Sequence, residues 1–263
     1  MRPWYEPRSV ARDLDRDVSC VWTARPEGEH RLVPDGCVDV VWLDTGRAWL
    51  CGTETTAWTF RLPAGVEAAG IRFRPGVAAA VFGFDGTEVA NRRVPLDAVL
   101  AGPAARRLDD RLGDAVGAPV GRAAVLEAEA RAWLSRATRA VDPVAAAAAS
   151  AAPNGAPAPI DALAHELGLS SRQLHRRCLR SFGYGAATLL RILRLQRFLA
   201  LADQPRSLAR LAAAAGYSDQ AHLTRECRAL AGLTPGELRR TPGLTTASDP
   251  FKTARPPTGT MGS

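Results

Sequence analysis

Apolar and polar positions follow two different periods along this chain. Up to residue 74 they alternate in short runs separated by Gly, Pro and Asp, and such alternation predicts half-buried β-strands. The predicted strands cover residues 18–23, 37–43, 48–52, 58–62 and 69–74. Turn signals such as Pro34-Asp35-Gly36 and Asp44-Thr45-Gly46 separate them. The pattern therefore predicts a small antiparallel sheet or barrel.

From residue 75 onward the apolar residues recur at helical spacing. This spacing predicts helices at 76–83, 96–112 and 122–140, with a break at 113–121. Residues 142–152 begin with Asp-Pro and continue as an alanine run, which is typical either of a low-complexity linker or of a helix. We favour the helix, because Asp is a good N-cap and Ala has the highest helix propensity. The Pro-rich segment 153–159 is predicted to be a loop, and the Pro- and Thr-rich tail 242–263 to be disordered.

A Leu-x-Arg-x-Cys-x4-Gly pattern occurs twice, beginning at Leu174 and at Leu223. Each copy follows a Leu-Ala pair, a Gly, one apolar residue and a Ser, so one helix-turn-helix unit is predicted to be used twice. Ser170 is predicted to cap the second helix of the first unit, with Gln173 completing a capping box, and Ser218 to cap its counterpart. The Leu and the Cys of each copy are predicted to face the core.

A helix is also predicted between the two copies. It covers residues 186–201, which corresponds to a length of about 24 Å. A rigid spacer of this length can place two helices in successive major grooves of DNA. Arg191, Arg194 and Arg197 recur every three residues along it and form an edge that faces either solvent or phosphate.

Positive charge is concentrated in the part of the chain that holds the repeats. Residues 1–141 contribute nothing to the net charge of +7, since they hold 19 Arg and 19 acidic residues. Residues 142–241 hold 13 Arg against seven acidic residues. A basic domain favours an anionic partner, most often nucleic acid, although an Arg-rich solvated surface gives the same count. Charge alone leaves both alternatives open.

The repeats resemble the DNA-binding domain of the AraC/XylS family of bacterial transcription regulators. The segments that carry the resemblance are Ile160-Asp-Ala-Leu-Ala, Leu167-Gly-Leu-Ser-Ser-Arg-Gln-Leu-His-Arg, Arg194-Leu-Gln-Arg, Ala215-Gly-Tyr-Ser-Asp-Gln-Ala-His-Leu-Thr-Arg and Leu233-Thr-Pro-Gly-Glu-Leu-Arg. Leu238 stands where the family usually has an aromatic residue. Cys178 and Cys227 stand where it often has Phe, and we interpret both as small core residues.

The resemblance implies double-stranded DNA as the partner and base contacts from the outward face of the second helix in each unit. Arginine suits this role, because it can donate two hydrogen bonds to a guanine edge in the major groove. The residues predicted to contact DNA are Arg172, Gln173, His175, Arg176, Gln220, Ala221, Thr224 and Arg225. The first unit is expected to contact bases more strongly than the second.

The N-terminal half resembles a sensor-like module found fused to this DNA-binding domain. The matching segments are Leu32-Val-Pro-Asp-Gly-Cys-Val-Asp-Val-Val, Arg72-Phe-Arg-Pro-Gly and Val94-Pro-Leu-Asp. The resemblance implies a small-molecule effector, a homodimer and RNA polymerase as a further partner. The residues predicted to bind the effector are Trp22, Asp35, Cys37, Asp39, Arg72 and Arg74. Trp22, Trp42, Trp49 and Trp58 fit either a pocket lining or the core of the sheet, and we favour the core.

Candidate chemistry in the N-terminal half rests on Cys20, Cys37 and Cys51. Together with His30 they lack the tight spacing of a metal site, and we interpret them as buried, inert cysteines. Asp35 and Asp39 flank Cys37, which predicts a raised thiol pKa. The alternative function is that of a DNA-repair or redox-responsive protein that uses one of these cysteines on the same DNA-binding scaffold.

Other functional classes find no support in the sequence. It has no Ser-His-Asp arrangement and no phosphate-binding Gly loop, so neither catalysis nor a cofactor or metal site is expected. It also has no apolar run of about 18 residues and no signal peptide, so we expect a cytoplasmic protein without a membrane partner. The predicted fold is α+β. A small β-rich domain with packed helices covers residues 1–141 and ends in a helical hairpin, and an all-α double helix-turn-helix domain follows at 142–241.

Overall fold

The computed structural model describes residues 5–25, 28–115, 119–150 and 160–241. The predicted loop at 153–159 and the predicted tail at 242–263 lie outside the described residues, as does part of the predicted break at 113–121. Within the described ranges the chain forms a β-rich N-terminal region followed by an all-helical C-terminal region. The predicted α+β fold class is confirmed.

The described part of the chain contains eight strands. They are β1 (Tyr5–Arg8), β2 (Val18–Ala24), β3 (Glu29–Leu32), β4 (Val38–Leu43), β5 (Arg47–Cys51), β6 (Trp58–Arg61), β7 (Ala68–Phe73) and β8 (Arg93–Pro95). Six of them form one antiparallel sheet in the order β1-β2-β7-β4-β5-β8, and β3 pairs with β6 in a separate two-stranded sheet. The five predicted strands are confirmed, while β1, β3 and β8 were not predicted, because β1 and β8 contain a proline and β3 has a single aliphatic residue.

Eleven α-helices lie in the described ranges. They are α1 (Val77–Phe82), α2 (Gly86–Val89), α3 (Gly102–Asp114), α4 (Pro119–Arg136), α5 (Pro143–Ser150), α6 (Ile160–Glu166), α7 (Ser171–Phe182), α8 (Ala186–Leu201), α9 (Leu208–Ala215), α10 (Gln220–Ala231) and α11 (Pro235–Arg240). The helix over the alanine run is confirmed, and the Asp142 carboxylate accepts a hydrogen bond from Val144 N–H at 2.9 Å.

Two predicted helix boundaries are wrong. The helix expected at 96–112 begins at Gly102, because Leu96–Ala98 form only a 3-10 turn and Pro103, in the first turn of α3, has no N–H to bond an earlier turn of the helix. The helix expected at 122–140 runs from Pro119 to Arg136 instead. Both helices still pack together against the sheet.

One face of the six-stranded sheet packs against α1, α3 and α4. Side chains from alternate strand positions, such as Trp42, Ile71 and Phe73, meet Leu108 and Leu126 of the helices in one buried cluster. The predicted burial of the strands on one side only is wrong for β7, all six residues of which are buried. The opposite face of this strand is covered too, because the β3–β6 pair lies over it and leaves a cavity between them.

The C-terminal region contains two buried clusters that share helix α8. The first half of α8 packs with α5, α6 and α7, whereas its second half packs with α9, α10 and α11. The predicted 16-residue helix between the repeats is confirmed as Ala186–Leu201. The second cluster also includes Val33 from the N-terminal region. The two regions are therefore packed together.

Candidate functional site

The sheet face that looks away from α1, α3 and α4 carries a row of charged and sulfur-bearing side chains. The strand register places the following residues side by side on β2, β7, β4, β5 and β8: Cys20, Arg72, Asp39, Cys51 and Arg93. Residues two positions along a strand face the same side. Trp22 and Gly70 are such residues, and a Cβ at Gly70 would lie 2.3 Å from the Trp22 ring. The glycine thus lets the indole lie flat on the sheet.

A cavity of about 350 Å³ lies between this face and the β3–β6 pair. Its volume is at the lower end of the range for small-molecule sites, roughly 300–1,000 Å³. Its aromatic lining residues are Tyr5, Trp22, Trp49, Trp58 and Phe60. Its charged lining residues are Asp35, Asp39, Glu54, Arg72 and Arg93. The cavity therefore combines apolar walls with a small set of charged groups.

Arg72 is held between two carboxylates at the bottom of the cavity. Its Nε atom lies 3.1 Å from both oxygens of Asp39, and its Nη1 atom lies 3.4 Å from Oδ2 of Asp35. Trp22 Nε1 donates a further hydrogen bond to Asp39 at 2.8 Å. Burial opposes the charged form of Arg72, but the carboxylates outweigh it and raise its pKa well above the usual value. Burial also raises the pKa of Asp39, with Arg72 acting in the opposite direction.

A second ion pair also lines the cavity. Arg93 Nη2 lies 2.7 Å from Oε1 of Glu54, and the Arg93 guanidinium carbon lies 3.6 Å from the centroid of the Trp58 ring. Burial raises the pKa of Glu54 to about 7, against the opposing effect of Arg93. The charge of this pair therefore changes near neutral pH. The buried Nε of Arg93 has no hydrogen-bond partner among the described residues.

Most of the residues predicted to bind an effector line the cavity. These are Trp22, Asp35, Cys37, Asp39 and Arg72. Arg74 does not, because it follows the end of β7 and its Nε donates to the Asp15 carbonyl at 2.8 Å. The tryptophans divide between the two faces of the sheet. Trp22, Trp49 and Trp58 line the cavity, and Trp22 is also part of a small buried cluster with Tyr5, so the preference for the core is correct for Trp42 and partly correct for Trp22.

Sequence reasoning missed Tyr5, Glu54, Phe60 and Arg93 as cavity residues. Tyr5 and Arg93 belong to the short strands β1 and β8, which show no alternation, and Glu54 lies in a loop of small polar residues. Only Phe60 gave a signal, through the alternation of β6.

Cys20, Cys37 and Cys51 are free thiols, and their surroundings do not favour the thiolate form that a nucleophile needs. Burial raises the pKa of Cys51 to about 12, and it raises the thiol pKa of Cys20 and Cys37 as well. Asp35 adds to the effect at Cys37, as the sequence predicted. Thiols with such pKa values are weakly ionised at neutral pH and therefore weak nucleophiles.

The C-terminal region presents two equivalent helices, α7 and α10, which we call the recognition helices. Ser170 caps α7 and forms a capping box with Gln173, as predicted. The predicted cap at Ser218 is wrong, because Asp219 occupies that position and accepts from His222 N–H at 2.6 Å. The turn of the second unit is one residue longer, so its cap falls one position later than the Gly-x-Ser spacing suggests.

The residues predicted to contact DNA lie on the outward face of the recognition helices. All of them are exposed except Thr224, which is half-buried. Thr224 Oγ1 donates to the Gln220 carbonyl at 2.8 Å, and Gln173 Oε1 accepts from Ser170 in the capping box. Both side chains thus have a role inside their own helix. Arg172, Arg176 and Arg225 extend into solvent from the N-terminal halves of their helices.

The arginines of helix α8 make contacts inside the C-terminal region. Arg191 pairs with both oxygens of Glu226 on α10, at 2.8 and 3.1 Å. Arg194 Nε donates to the Leu190 carbonyl and Arg197 Nε to the Ala214 carbonyl. Arg191 and Arg197 therefore join α8 to α10 and α9, whereas Arg194 bonds within its own helix.

The N-terminal region binds the C-terminal ends of both recognition helices at equivalent positions. Thr53 Oγ1 donates to the carbonyl of Phe182, the last residue of α7, and Arg31 Nη1 donates at 3.3 Å to the carbonyl of Ala231, the last residue of α10. Helix ends leave such carbonyls without an intrahelical partner. Helix α8 is bound as well, since Gln196 Nε2 donates to the Pro34 carbonyl at 2.6 Å.

Metal-binding clusters and membrane-spanning helices are both absent from the residues that the structure describes. No group of three or more His, Cys, Asp or Glu side chains is placed to hold a metal ion within those ranges. In the same part of the chain, no helix is both long and apolar enough to cross a membrane.

Comparisons with known proteins also identify a helix-turn-helix domain in the C-terminal region. Residues 163–241 match a family described as helix-turn-helix domain, and residues 9–95 match a domain of unknown function, DUF6597. No curated protein matches the chain significantly.

Several solved structures are similar to parts of the chain. A DNA-binding transcriptional dual regulator from Escherichia coli K-12 is 26% identical over 39% of this chain and 96% of its own, with a TM-score of 0.34. The C-terminal domain of AraT, a response regulator from Geobacillus stearothermophilus, is 19% identical over 38% and 85%, with a TM-score of 0.35. ToxT from Vibrio cholerae is 8% identical over 90% and 98%, with a TM-score of 0.46. Residues 163–241 therefore contain a helix-turn-helix domain.

Proposed function

We propose that this protein is a sequence-specific DNA-binding transcription regulator that a small-molecule effector in the sheet cavity controls. The helix-turn-helix domain supports the first part, together with the exposed donors of α7 and α10. In this proposal Arg172, His175 and Arg176 contact bases from the first unit. Gln220, Ala221 and Arg225 do so from the second, and Gln173 and Thr224 mainly stabilise their helices.

Effector control is supported mainly by the position of the contacts between the N-terminal region and the helical C-terminal region. Four N-terminal residues that are hydrogen-bonded to the helical region are direct neighbours of cavity residues. Arg31 precedes Leu32, Pro34 lies between Val33 and Asp35, and Thr53 lies between Gly52 and Glu54. Ala57, whose N–H donates to the Leu230 carbonyl at 2.6 Å, precedes Trp58. In extended backbone, successive side chains point to opposite sides.

These segments therefore face the cavity on one side and the DNA-binding domain on the other. A ligand that shifts the cavity wall also shifts the residues that bind the ends of α7 and α10. The relative orientation of the two recognition helices then depends on whether the cavity is occupied. Differential affinity of the ligand for the two arrangements is what control of DNA binding requires.

DNA binding is tested first by mapping the genomic fragments that the purified full chain binds and measuring affinity for them. The double variant Arg172→Ala, Arg176→Ala is expected to lose the preference for the selected site over random DNA at matched salt. Arg107→Ala is the matched control, since Arg107 is an exposed arginine of α3. Equal affinity of the unaltered protein for selected and random DNA would instead identify a non-specific binder.

The division of the chain at residue 142 is also a proposal. It is supported by Asp142 at the start of α5 and by the packing of α5 with α7. A fragment of residues 142–241 is expected to bind the selected site. If the folded fragment does not bind this site, the domain boundary lies elsewhere.

A DNA-repair or redox function has less support, because burial raises the pKa of each N-terminal thiol. Mass spectrometry after treatment with an alkylating or oxidising agent tests it. We expect no selective modification of Cys20, Cys37 or Cys51 in the folded protein.

A further inference from the structure

The charged groups of the sheet cavity do not cancel. When Glu54 is ionised, three carboxylates, those of Asp35, Asp39 and Glu54, face two guanidinium groups, those of Arg72 and Arg93. Arg72 lies between the carboxylates of Asp35 and Asp39, so this end of the cavity carries two negative charges and one positive charge. An apolar site with an uncompensated negative charge favours a positively charged ligand, because little water is present to screen the interaction.

The aromatic walls favour the same kind of ligand. The guanidinium of Arg93 stacks on Trp58 at 3.6 Å, and that of Arg47 lies 5.6 Å from the ring of Trp49. Tyr5 and Trp22 form a tilted pair with centroids 5.4 Å apart next to the Arg72 end. Aromatic faces attract cations, and the attraction is strongest where the cation is removed from water. Ring faces and excess carboxylate thus lie within one small cavity.

The cavity is poorly suited to an anionic ligand. Arg72 is paired with Asp35 and Asp39, and Arg93 is paired with Glu54 and with a ring face. An anion would have to displace a carboxylate or lie close to one. The partnerless Nε of Arg93 provides one donor for a neutral acceptor such as a carbonyl or ether oxygen.

We propose that the cavity binds a hydrophobic organic cation, with its charged nitrogen beside Asp35 and Asp39 and its apolar body between Trp22, Trp49 and Trp58. This inference rests on the proposed effector function and adds the chemical class of the effector. A volume of about 350 Å³ fits a ligand with one or two rings.

Glu54 makes the binding of a permanent cation depend on pH. Its pKa is raised to about 7, so it gains its negative charge as pH rises through that value. The charged groups that face it are Arg93 from β8 and Asp35 from the segment between β3 and β4. A quaternary ammonium ligand does not titrate. Its affinity is therefore expected to increase between about pH 6 and pH 8, and Glu54→Gln is expected to remove the increase.

The test compares three probes of matched shape by calorimetry and tryptophan fluorescence on the full chain. The cation is naphthylmethyl-trimethylammonium. The neutral probe is neopentylnaphthalene, in which carbon replaces the nitrogen, and the anion is naphthylmethanesulfonate. We expect the cation to bind at least about tenfold more tightly than either of the others. Equal or tighter binding of the neutral or the anionic probe overturns the proposal, and so does the absence of binding by all three.

Variants locate the charge that is responsible. Asp35→Asn keeps the acceptor for Cys37 N–H and leaves the Asp39–Arg72 pair in place. It is expected to weaken the cation about tenfold and the neutral probe less than about twofold. Asp110→Asn on α3, an exposed acid away from the cavity, is the control and is expected to change neither. An unchanged cation affinity in a folded Asp35→Asn protein overturns the assignment.

DNA affinity with the cation bound separates this proposal from the proposed function. If the cation binds selectively and DNA affinity stays the same, the ligand class stands and effector control fails. If a neutral or anionic probe binds instead and changes DNA affinity, effector control stands and the ligand class fails.

Discussion

The two helix-turn-helix units have the same buried residues and different outward ones. Leu174 and Cys178 of α7 are fully buried, as are Leu223 and Cys227, which stand 49 positions later. Both recognition helices end at a glycine in the left-handed conformation, Gly183 and Gly232. The N-terminal region binds the last carbonyl of each helix. The interior and the C-terminal ends are therefore nearly equivalent.

The differences lie at the N-terminal ends of the recognition helices, where base contacts are proposed. Arg172 and His175 in α7 correspond to Ala221 and Thr224 in α10, and only the Arg176 and Arg225 pair is shared. The caps differ as well, with a hydroxyl at Ser170 and a carboxylate at Asp219. One fold thus presents two chemically different surfaces, and the unit with more donors is expected to contribute more to specificity.

The largest expected effect is on stability and is shared by both units. Leu174→Ala and Leu223→Ala each remove a fully buried side chain and are expected to cost about 2–5 kcal/mol of unfolding free energy. Urea unfolding followed by circular dichroism measures both. Since each leucine lies in its own cluster around α8, the two costs should be similar. A cost for one several-fold below the other would show that the units are not structurally equivalent.

Base contacts are expected to separate the units. Arg176→Ala should cost about 1–3 kcal/mol in binding to the selected site and relax base preference at one position. Arg225→Ala is expected to fall at the lower end of that range, because its neighbours Ala221 and Thr224 offer few donors. Affinities of both variants for the site and for single-base variants of it measure the difference. A larger loss for Arg225→Ala contradicts the proposed dominance of the first unit.

Most of the fold could be predicted from periodic patterns in the sequence. The alternation of β2, β4, β5, β6 and β7 and the repeat around Leu174 and Leu223 each predicted elements that the structure contains. Short elements with a proline or few apolar residues, such as β8, show no such period. The cap of α10 was placed wrongly because one extra residue in a turn moves the cap without changing the helical period that follows.

The cavity was only partly predictable for a different reason. Asp39 and Arg72 stood out as charges within strand patterns and Asp35 as part of the turn before β4, and strand pairing brings Asp39 and Arg72 together. Period two shows that residues of a strand alternate, but not which face lies against helices and which faces a cavity. Trp42 and Trp22 are therefore alike in sequence and lie on opposite faces of the same sheet. Arg74 falls after the last paired residue of β7, where alternation no longer determines direction.

The side chain of Thr53 is expected to stabilise the first unit more than the side chain of Arg31 stabilises the second. Thr53 is buried, with an exposed fraction of 1%, and its hydroxyl donates to Phe182. Thr53→Val keeps the shape and should cost about 1 kcal/mol. Arg31 is half-buried and its bond to Ala231 is 3.3 Å long, so Arg31→Gln should cost a few tenths, roughly the value for an exposed bond. Thermal unfolding of both variants checks the order, and a larger loss for Arg31→Gln reverses it.

The stability costs of removing the two N-caps are expected to differ least at neutral pH and to differ more in acid. The His222 N–H that Asp219 accepts keeps the pKa of this carboxyl below its usual value. A carboxyl with a lowered folded-state pKa stabilises the fold above its unfolded pKa, about 4, and this stabilisation is lost as pH falls through the folded value. Asp219→Asn should therefore destabilise at pH 7 and have little effect near about pH 2. Ser170→Ala has no charge to lose, so its cost of about 1 kcal/mol should persist at both pH values. Urea unfolding of the two variants at each pH is the measurement, and a pH-independent effect of Asp219→Asn would show that the carboxylate charge does not contribute to the second cap.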